Sequence, residues 1–180
     1  MTKKVNQRVM LTKTMLKNSL IEILKTKSIY KVSIRELCEK SEINRSTFYK
    51  YYGSQFDLLT EMESDVLTLV MESLSDQSGQ DTRSLSEMCH YLEDNIEFCR
   101  LLINNNIDPQ FPEKVFSLPQ VQQMINHVLG DKYNSTEYEY VSSFLMYGAY
   151  QIIRIWINKE KRESPEEIAD LILKQIIETA

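Results

Sequence analysis

Apolar residues recur along this chain at helical spacing, and no stretch shows the strict alternation of a strand. Between Val9 and Lys25, the positions Leu16, Leu20, Ile23 and Leu24 form one stripe and predict a first helix. Ser33 followed by Glu36 has the form of a capping box, and Val32 with Leu37 has the spacing of a hydrophobic staple. A short second helix is therefore expected from Ile34 to Lys40. A turn at Ser41, Glu42 and Ile43 leads to Asn44, a favourable N-cap, and Arg45 to Tyr51 is expected as a third helix. Ile43 and Phe48 repeat the staple spacing, and Phe48 shares a face with Tyr52 one turn on. That face points inward and leaves Arg45, Ser46, Thr47, Tyr49 and Lys50 outside.

Further helices follow. Ser54 caps a long one, with Asp57 at its third position and a stripe from Phe56 through Leu59, Met62, Val66 and Val70 to Leu74, ending near Ser75. The segment from Asp76 to Asp81 reads as a loop by composition. A helix is expected from Ser84 to Glu93, and a second, capped by Asp94 with Glu97, to Asn104. Pro109, Pro112 and Pro119 divide an irregular connection. Helices at Gln120–Leu129 and Thr136–Lys159 precede a last one, capped at Ser164, with Pro165 and Glu167 in its first turn, running to Glu178.

Composition changes this picture little. Four Gly and four Pro in 180 residues favour helices over a turn-rich sheet protein. No apolar run reaches the roughly 18 residues that span a membrane, and no apolar signal core follows the basic start, so a cytoplasmic location is expected. Cys38, Cys89 and Cys99 are far apart and form no CxxC pair. With His90 and His127 as the only histidines, neither a metal nor a cofactor is expected, and Cys38 reads as a small buried hydrophobe. There is no nucleophile–base motif and no phosphate-binding glycine loop, which argues against an enzyme.

Charge matters more. Residues 1–57 carry 12 Lys/Arg against 5 Asp/Glu, while residues 58–180 carry 9 against 21. A basic head on an acidic body suits a polyanion at one end. Two short helices with a tight turn, the second polar outside and apolar inside, match a helix-turn-helix. The second helix must be pinned by apolar contacts so that its outer face lies rigidly in the major groove. In that role Arg45 suits a guanine, Ser46 and Thr47 suit bases or a thymine methyl, and Tyr49, Lys50 and Tyr51 suit phosphates.

The run from Ser33 to Leu59 resembles the DNA-binding domain of the TetR/AcrR family. The resemblance is carried by the Phe48-Tyr49 pair, the aromatic at Tyr52 and the Asp57-Leu58-Leu59 helix start. It implies an all-α homodimer of about nine helices per chain. The helix-turn-helix domain would cover residues 1–53, and an effector-binding and dimerisation domain residues 54–180. By residue match it implies DNA contacts from Ser33, Asn44, Arg45, Ser46, Thr47, Tyr49, Lys50 and Tyr51. Two positions depart from the family pattern. Glu42 stands where glycine is common, at about 1 kcal/mol if left-handed. Gln55 stands where a basic residue is common, leaving a neutral hydrogen bond in place of one charged phosphate contact.

In the body, the long helix is apolar on two faces, one with Tyr140, Phe144, Tyr147 and Gln151 and another with Val141, Leu145, Gly148, Ala149, Ile152 and Trp156. Ala149, Ile152 and Trp156, with Ile168 and Ile172 of the last helix, are expected at a four-helix dimer interface, as the resemblance implies. Met88, Tyr91, Phe98, Met124, His127 and Tyr147 are expected around an effector pocket. The function expected is a ligand-responsive repressor that binds a palindromic operator as a dimer. The alternative is a regulator whose body binds a coactivator protein in place of a small molecule.

Overall fold

The structure is a computed structural model that describes residues 2–74, 82–104, 106–130 and 132–179. Among these, ten α-helices and no strand are found. The loop expected from Asp76 to Asp81 lies outside the described residues. The chain divides into two compact units, Met1–Asp65 and Val66–Ala180, with the border between them inside a helix.

The first unit holds α1 (Thr2–Leu24), α2 (Ile34–Ser41), α3 (Arg45–Phe48) and the first half of α4 (Gln55–Ser73). A 3-10 turn at Ile29–Lys31 links α1 to α2. The stripe Leu16, Leu20, Ile23 and Leu24 is buried, as are Leu37, Cys38, Phe48, Tyr52, Leu58, Leu59 and Met62. Leu58, Leu59 and Met62 belong to the opening turns of α4, which is why those turns group with the head. The staple residues Val32 and Leu37 are both buried, and Ser33 Oγ accepts from Glu36 N–H at 3.2 Å. Glu36 turns its carboxylate to Lys27 (2.6 Å).

The second unit holds the rest of α4, then α5 (Thr82–Asp94), α6 (Ile96–Ile103), α7 (Phe111–Phe116), α8 (Pro119–Leu129), α9 (Ser135–Asn158) and α10 (Pro165–Thr179). α10 packs on α5 and α9, and α6 packs on α9. Trp156 is sealed inside, its indole N–H donating to the Glu163 carbonyl at 2.9 Å. The last helix starts as its sequence predicts: Ser164 N–H donates to Glu167 Oε2 (2.8 Å), and Glu167 N–H donates to Ser164 Oγ (3.2 Å).

Three local expectations change. α7 adds a tenth helix where prolines predict an irregular connection, because Pro112 and Pro119 sit in first turns, where a missing N–H costs nothing. The cap between α5 and α6 is Asn95, not Asp94; α5 continues through Asp94, and the Asn95 side chain donates back to Tyr91 O (2.9 Å). α9 begins one residue early, on a full capping box of Asn134 with Glu137.

Candidate nucleic-acid interface and body cavity

α2 ends in a Schellman arrangement. Ile43 N–H donates to Cys38 O (3.1 Å) and Glu42 N–H to Glu39 O (3.4 Å), which forces Glu42 to φ 56°, ψ 26°. Glu42 is the one non-glycine residue with positive φ among the described residues. The chain then turns into α3 at Asn44. Asn44 Oδ1 accepts from Thr47 N–H (2.9 Å) and from Ser46 Oγ (2.7 Å), so one side chain both starts the helix and orients the serine hydroxyl.

α3 proper is a single turn, shorter than the Arg45–Tyr51 helix expected. After Phe48 the bonding tightens: Lys50 N–H donates to Thr47 O (3.3 Å) and Tyr51 N–H to Phe48 O (2.9 Å). Tyr49, Lys50 and Tyr51 thus sit on a tight turn continuous with the helix. Phe48 anchors the element, fully buried, with its ring 5.7 Å from Tyr52 and edge-on to Tyr49 at 5.5 Å. Around that anchor, Ser33, Asn44, Arg45, Ser46, Tyr49 and Lys50 are exposed, and Thr47, Tyr51 and Gln55 half-buried. Arg45 and Lys50 have no ion-pair partner among the described residues. Lys13, Lys17, Lys27 and Arg35 are all paired with carboxylates.

Behind this surface an ionic cluster ties α1 to α4. Glu61 accepts from Lys13 (2.7 Å) and lies 3.0 Å from Lys17, which also reaches Asp65 at 2.7 Å. Tyr52 donates its hydroxyl to Glu61 Oε1 at 3.1 Å. Burial acts to raise the Glu61 carboxyl, but the two lysines outweigh it and hold it below the usual range. Burial, with Glu61 beside it, raises the Tyr52 phenol. Gly53 and Ser54 N–H both donate to Asp57 Oδ2 (2.8 and 3.1 Å), so the capping carboxylate fixes the start of α4. The amino-terminal stripe, caps and staples all pointed to this region. The ionic cluster was missed, since it joins positions 48 residues apart.

The second unit contains a cavity of about 540 Å³. α4 lines it with Val66 and Val70, α7 with Phe111 and Phe116, α8 with Gln120 and Met124, and α9 with Leu145, Ala149 and Tyr150. Of the six expected pocket residues, Met88, Met124 and His127 line this cavity. Tyr91, Phe98 and Tyr147 lie outside its lining. Phe98 is buried elsewhere in the unit; Tyr147 is half exposed, its hydroxyl donating to Glu113 at 3.1 Å. The tyrosine that does line the cavity from α9 is Tyr150, three positions on, with its hydroxyl donating to Ile103 O (3.0 Å).

The expected dimer residues are also redistributed. Trp156, Ile168 and Ile172 are buried within the single chain, Ala149 lines the cavity, and Ile152 is half-buried. The reason lies in the two apolar faces of α9: the one carrying Leu145, Ile153 and Trp156 is consumed by the chain's own core. The other face carries Tyr140 (71% exposed), Phe144 (68%), Gly148 and Ile155 (52%). A Cβ built on Gly148 meets nothing within 4 Å. In the sequence the exposed stripe corresponds to the face of Tyr140, Phe144, Tyr147 and Gln151, whereas Gly148 and the dimer contacts were expected on the face with Ala149, Ile152 and Trp156.

The three cysteines are all buried, and burial pushes the thiols of Cys89 and Cys99 up to about 12. No group of three or more metal-ligating side chains gathers among the described residues, and none of the described helices is long and apolar enough to cross a membrane.

Comparison with known proteins places the chain. Residues 82–178 match the family model TetR_C_8, described as a transcriptional regulator C-terminal region. The chain is 22% identical over 164 residues to the "Uncharacterized HTH-type transcriptional regulator YxbF" of Bacillus subtilis (strain 168), covering 87% of this chain and 42% of that protein. It is 23% identical over 135 residues to the "HTH-type dhaKLM operon transcriptional activator DhaS" of Lactococcus lactis subsp. lactis (strain IL1403), covering 74% of this chain and 69% of that protein. This chain therefore spans less than half the length of the first relative. Among solved structures, "Dihydroxyacetone kinase operon activator DhaS" superposes with a TM-score of 0.61 at 20% identity, over 93% of this chain and 94% of that one. A TetR transcriptional regulator from Streptococcus agalactiae 2603V gives 0.61 at 18% identity, over 98% and 99%. The structural likeness supports the fold, and the family match, which spans more than half of the chain, supports the assignment: the chain belongs to the TetR family of transcriptional regulators.

Proposed function

We propose that this regulator binds a palindromic operator as a homodimer, and that a small molecule in the body cavity controls that binding, as in a repressor. The observation that carries the DNA half is the outward set Arg45, Tyr49 and Lys50 on an element pinned by buried Phe48, with both cations unpaired. Unpaired cations are ready to neutralise phosphates, and a guanidinium can reach guanine O6 and N7 together. In this reading Arg45, Ser46 and Thr47 face bases. Ser33, Asn44, Tyr49, Lys50, Tyr51 and Gln55 hold the backbone or orient those that do. Residues 1–53 supply the DNA-binding domain, and residues 54–180 the effector-binding and dimerisation domain.

Dimerisation in this reading uses the exposed α9 stripe, with Leu171 and Ile177 of α10, since that apolar face has no covering within the chain. α4 carries the signal along its own length. Its first turns hold Asp57 and Glu61, and its last turns give Val66, Val70 and Ser73 to the cavity wall. An occupant that displaced those last turns would change the spacing of the two reading elements against half-sites about one helical turn apart.

A gel shift on the DNA upstream of the protein's own gene tests the reading. Arg45→Ala with Tyr49→Ala is expected to weaken binding by at least about 100-fold, from one base-reading and one phosphate contact. Unchanged binding by the double variant would remove these residues from the interface. A second reading has support in the comparisons: one relative is named an operon activator, and the body would then recruit a coactivator protein. A reporter gene under the same promoter separates the two, since deletion raises expression for a repressor and lowers it for an activator.

A further inference from the structure

The cavity in the second unit is lined by 25 residues, and none is Asp, Glu, Lys or Arg. Its walls are aliphatic, aromatic and thioether groups, with Met88, Met124 and Met146 among them. A charged occupant would surrender its hydration there without finding a counter-charge. Polar side chains in the lining are few: Ser73, Gln120, Gln123, His127 and Tyr150. The Tyr150 hydroxyl is committed to the Ile103 carbonyl at 3.0 Å. His127 is exposed. Gln120 differs from both: its Oε1 is buried and has no hydrogen-bond partner among the described residues. Gln120 sits in the first turn of α8 and contributes to the cavity lining. A buried carbonyl oxygen without a donor is costly until a donor arrives.

From this we infer that the effector is an uncharged, largely apolar molecule bearing a hydroxyl or similar donor, which pairs with Gln120 Oε1. The inference rests on the reading of this cavity as the effector site. It deepens that reading by fixing the charge and a polar contact of the ligand. The volume of about 540 Å³ falls within the roughly 300–1,000 Å³ typical of small-molecule sites. The three methionines suit a flexible chain of undefined shape, because thioethers repack easily.

The test uses the full chain and the neutral fluorophore N-phenyl-1-naphthylamine, displaced in turn by 1-decanol, decanoate and decylammonium at pH 7 and submicellar concentration. The fluorophore is expected to brighten on binding, and 1-decanol to displace it at a concentration at least tenfold lower than either ion. Gln120→Leu keeps the volume but removes the acceptor. It is expected to weaken 1-decanol about five- to tenfold, one neutral hydrogen bond, while leaving displacement by decyl methyl ether, which has no donor, unchanged. Met124→Trp, which fills the cavity, is expected to lose both ligands with helix content retained by circular dichroism.

Three results would overturn the inference: no brightening with the unmodified chain, decanoate or decylammonium matching 1-decanol, or full 1-decanol affinity in Gln120→Leu. A gel shift run beside these assays keeps the two readings apart. Selective 1-decanol binding with DNA affinity unaltered would sink the regulatory role of the cavity and leave the ligand class standing.

Discussion

Glu42 holds a backbone conformation that a glycine adopts without strain. Its φ of 56° is imposed by the two hydrogen bonds that close α2, so the side chain gains nothing visible from the strain. Glu42→Gly is expected to stabilise the protein by about 0.5–1 kcal/mol, the left-handed penalty less the extra freedom of the unfolded chain. Urea denaturation would measure it, and a loss of stability would show that the Glu42 side chain contributes something its geometry does not reveal. Position 42 was legible beforehand only through the family resemblance, which puts glycine at that turn. Glu61 was not legible. Its partners Lys13 and Lys17 lie on α1, and only the packed helices bring the charges within 3.0 Å. Its carboxyl is held below the ordinary value near 4.5, so the carboxylate contributes stability above that pH and loses it as pH falls through the depressed value. Glu61→Gln is therefore expected to cost roughly 1 kcal/mol at pH 7, with the gap from the unmodified chain closing below about pH 4. Thermal denaturation across pH 3–7 would show it; a gap independent of pH would mean the loss is one of packing rather than charge.

At the scale of elements, caps decided what the sequence revealed. At Ser54/Asp57 and Ser164/Glu167, where a side-chain oxygen and a carboxylate stand three residues apart, the helix starts fell where expected, whereas the same pattern at Asp94/Glu97 gave way to Asn95. α7 escaped notice because proline is a breaker in a helix interior and a starter in a first turn, and the sequence alone does not say which applies. α3 came out shorter than its residues imply. Tighter bonds from Lys50 and Tyr51 back to Thr47 and Phe48 interrupt it, while Tyr52 N–H still donates to Phe48 O (3.0 Å), the one-turn spacing that keeps both rings on the core side. An element of one turn depends heavily on its cap. Asn44→Ala removes the acceptor for both Thr47 N–H and the Ser46 hydroxyl, and is expected to lower stability by about 1 kcal/mol. It should also weaken operator binding more than that stability loss explains, because Ser46 loses its orientation. Asn44→Asp, which keeps the cap, would restore stability but place a negative charge against phosphates, so the two variants should part in a gel shift.

The whole molecule is set by which face of α9 its own core uses. The sequence showed a helix apolar on two sides, and the family resemblance put the dimer on the side of Ala149, Ile152 and Trp156; which side the core uses depends on where α6 and α10 pack. The structure assigns Trp156 to the interior and leaves Tyr140, Phe144 and Ile155 outside in one stripe, with Gly148 in its middle. A glycine in an exposed helix interior costs about 1 kcal/mol relative to alanine, which a close helix–helix approach would offset. Gly148→Arg separates that role from an ordinary exposed position. A Cβ there has open space, so the folded chain should tolerate the change, and circular dichroism should show unchanged helix content. In a dimer closed through this stripe, two guanidinium groups would meet near the symmetry axis without partners, and light scattering should report a single chain at micromolar concentration. Operator binding should fall with it, since one reading element holds only one half-site. A Gly148→Arg chain that stays dimeric would move the interface off α9 and leave Leu171 and Ile177 of α10 as the surface to test next.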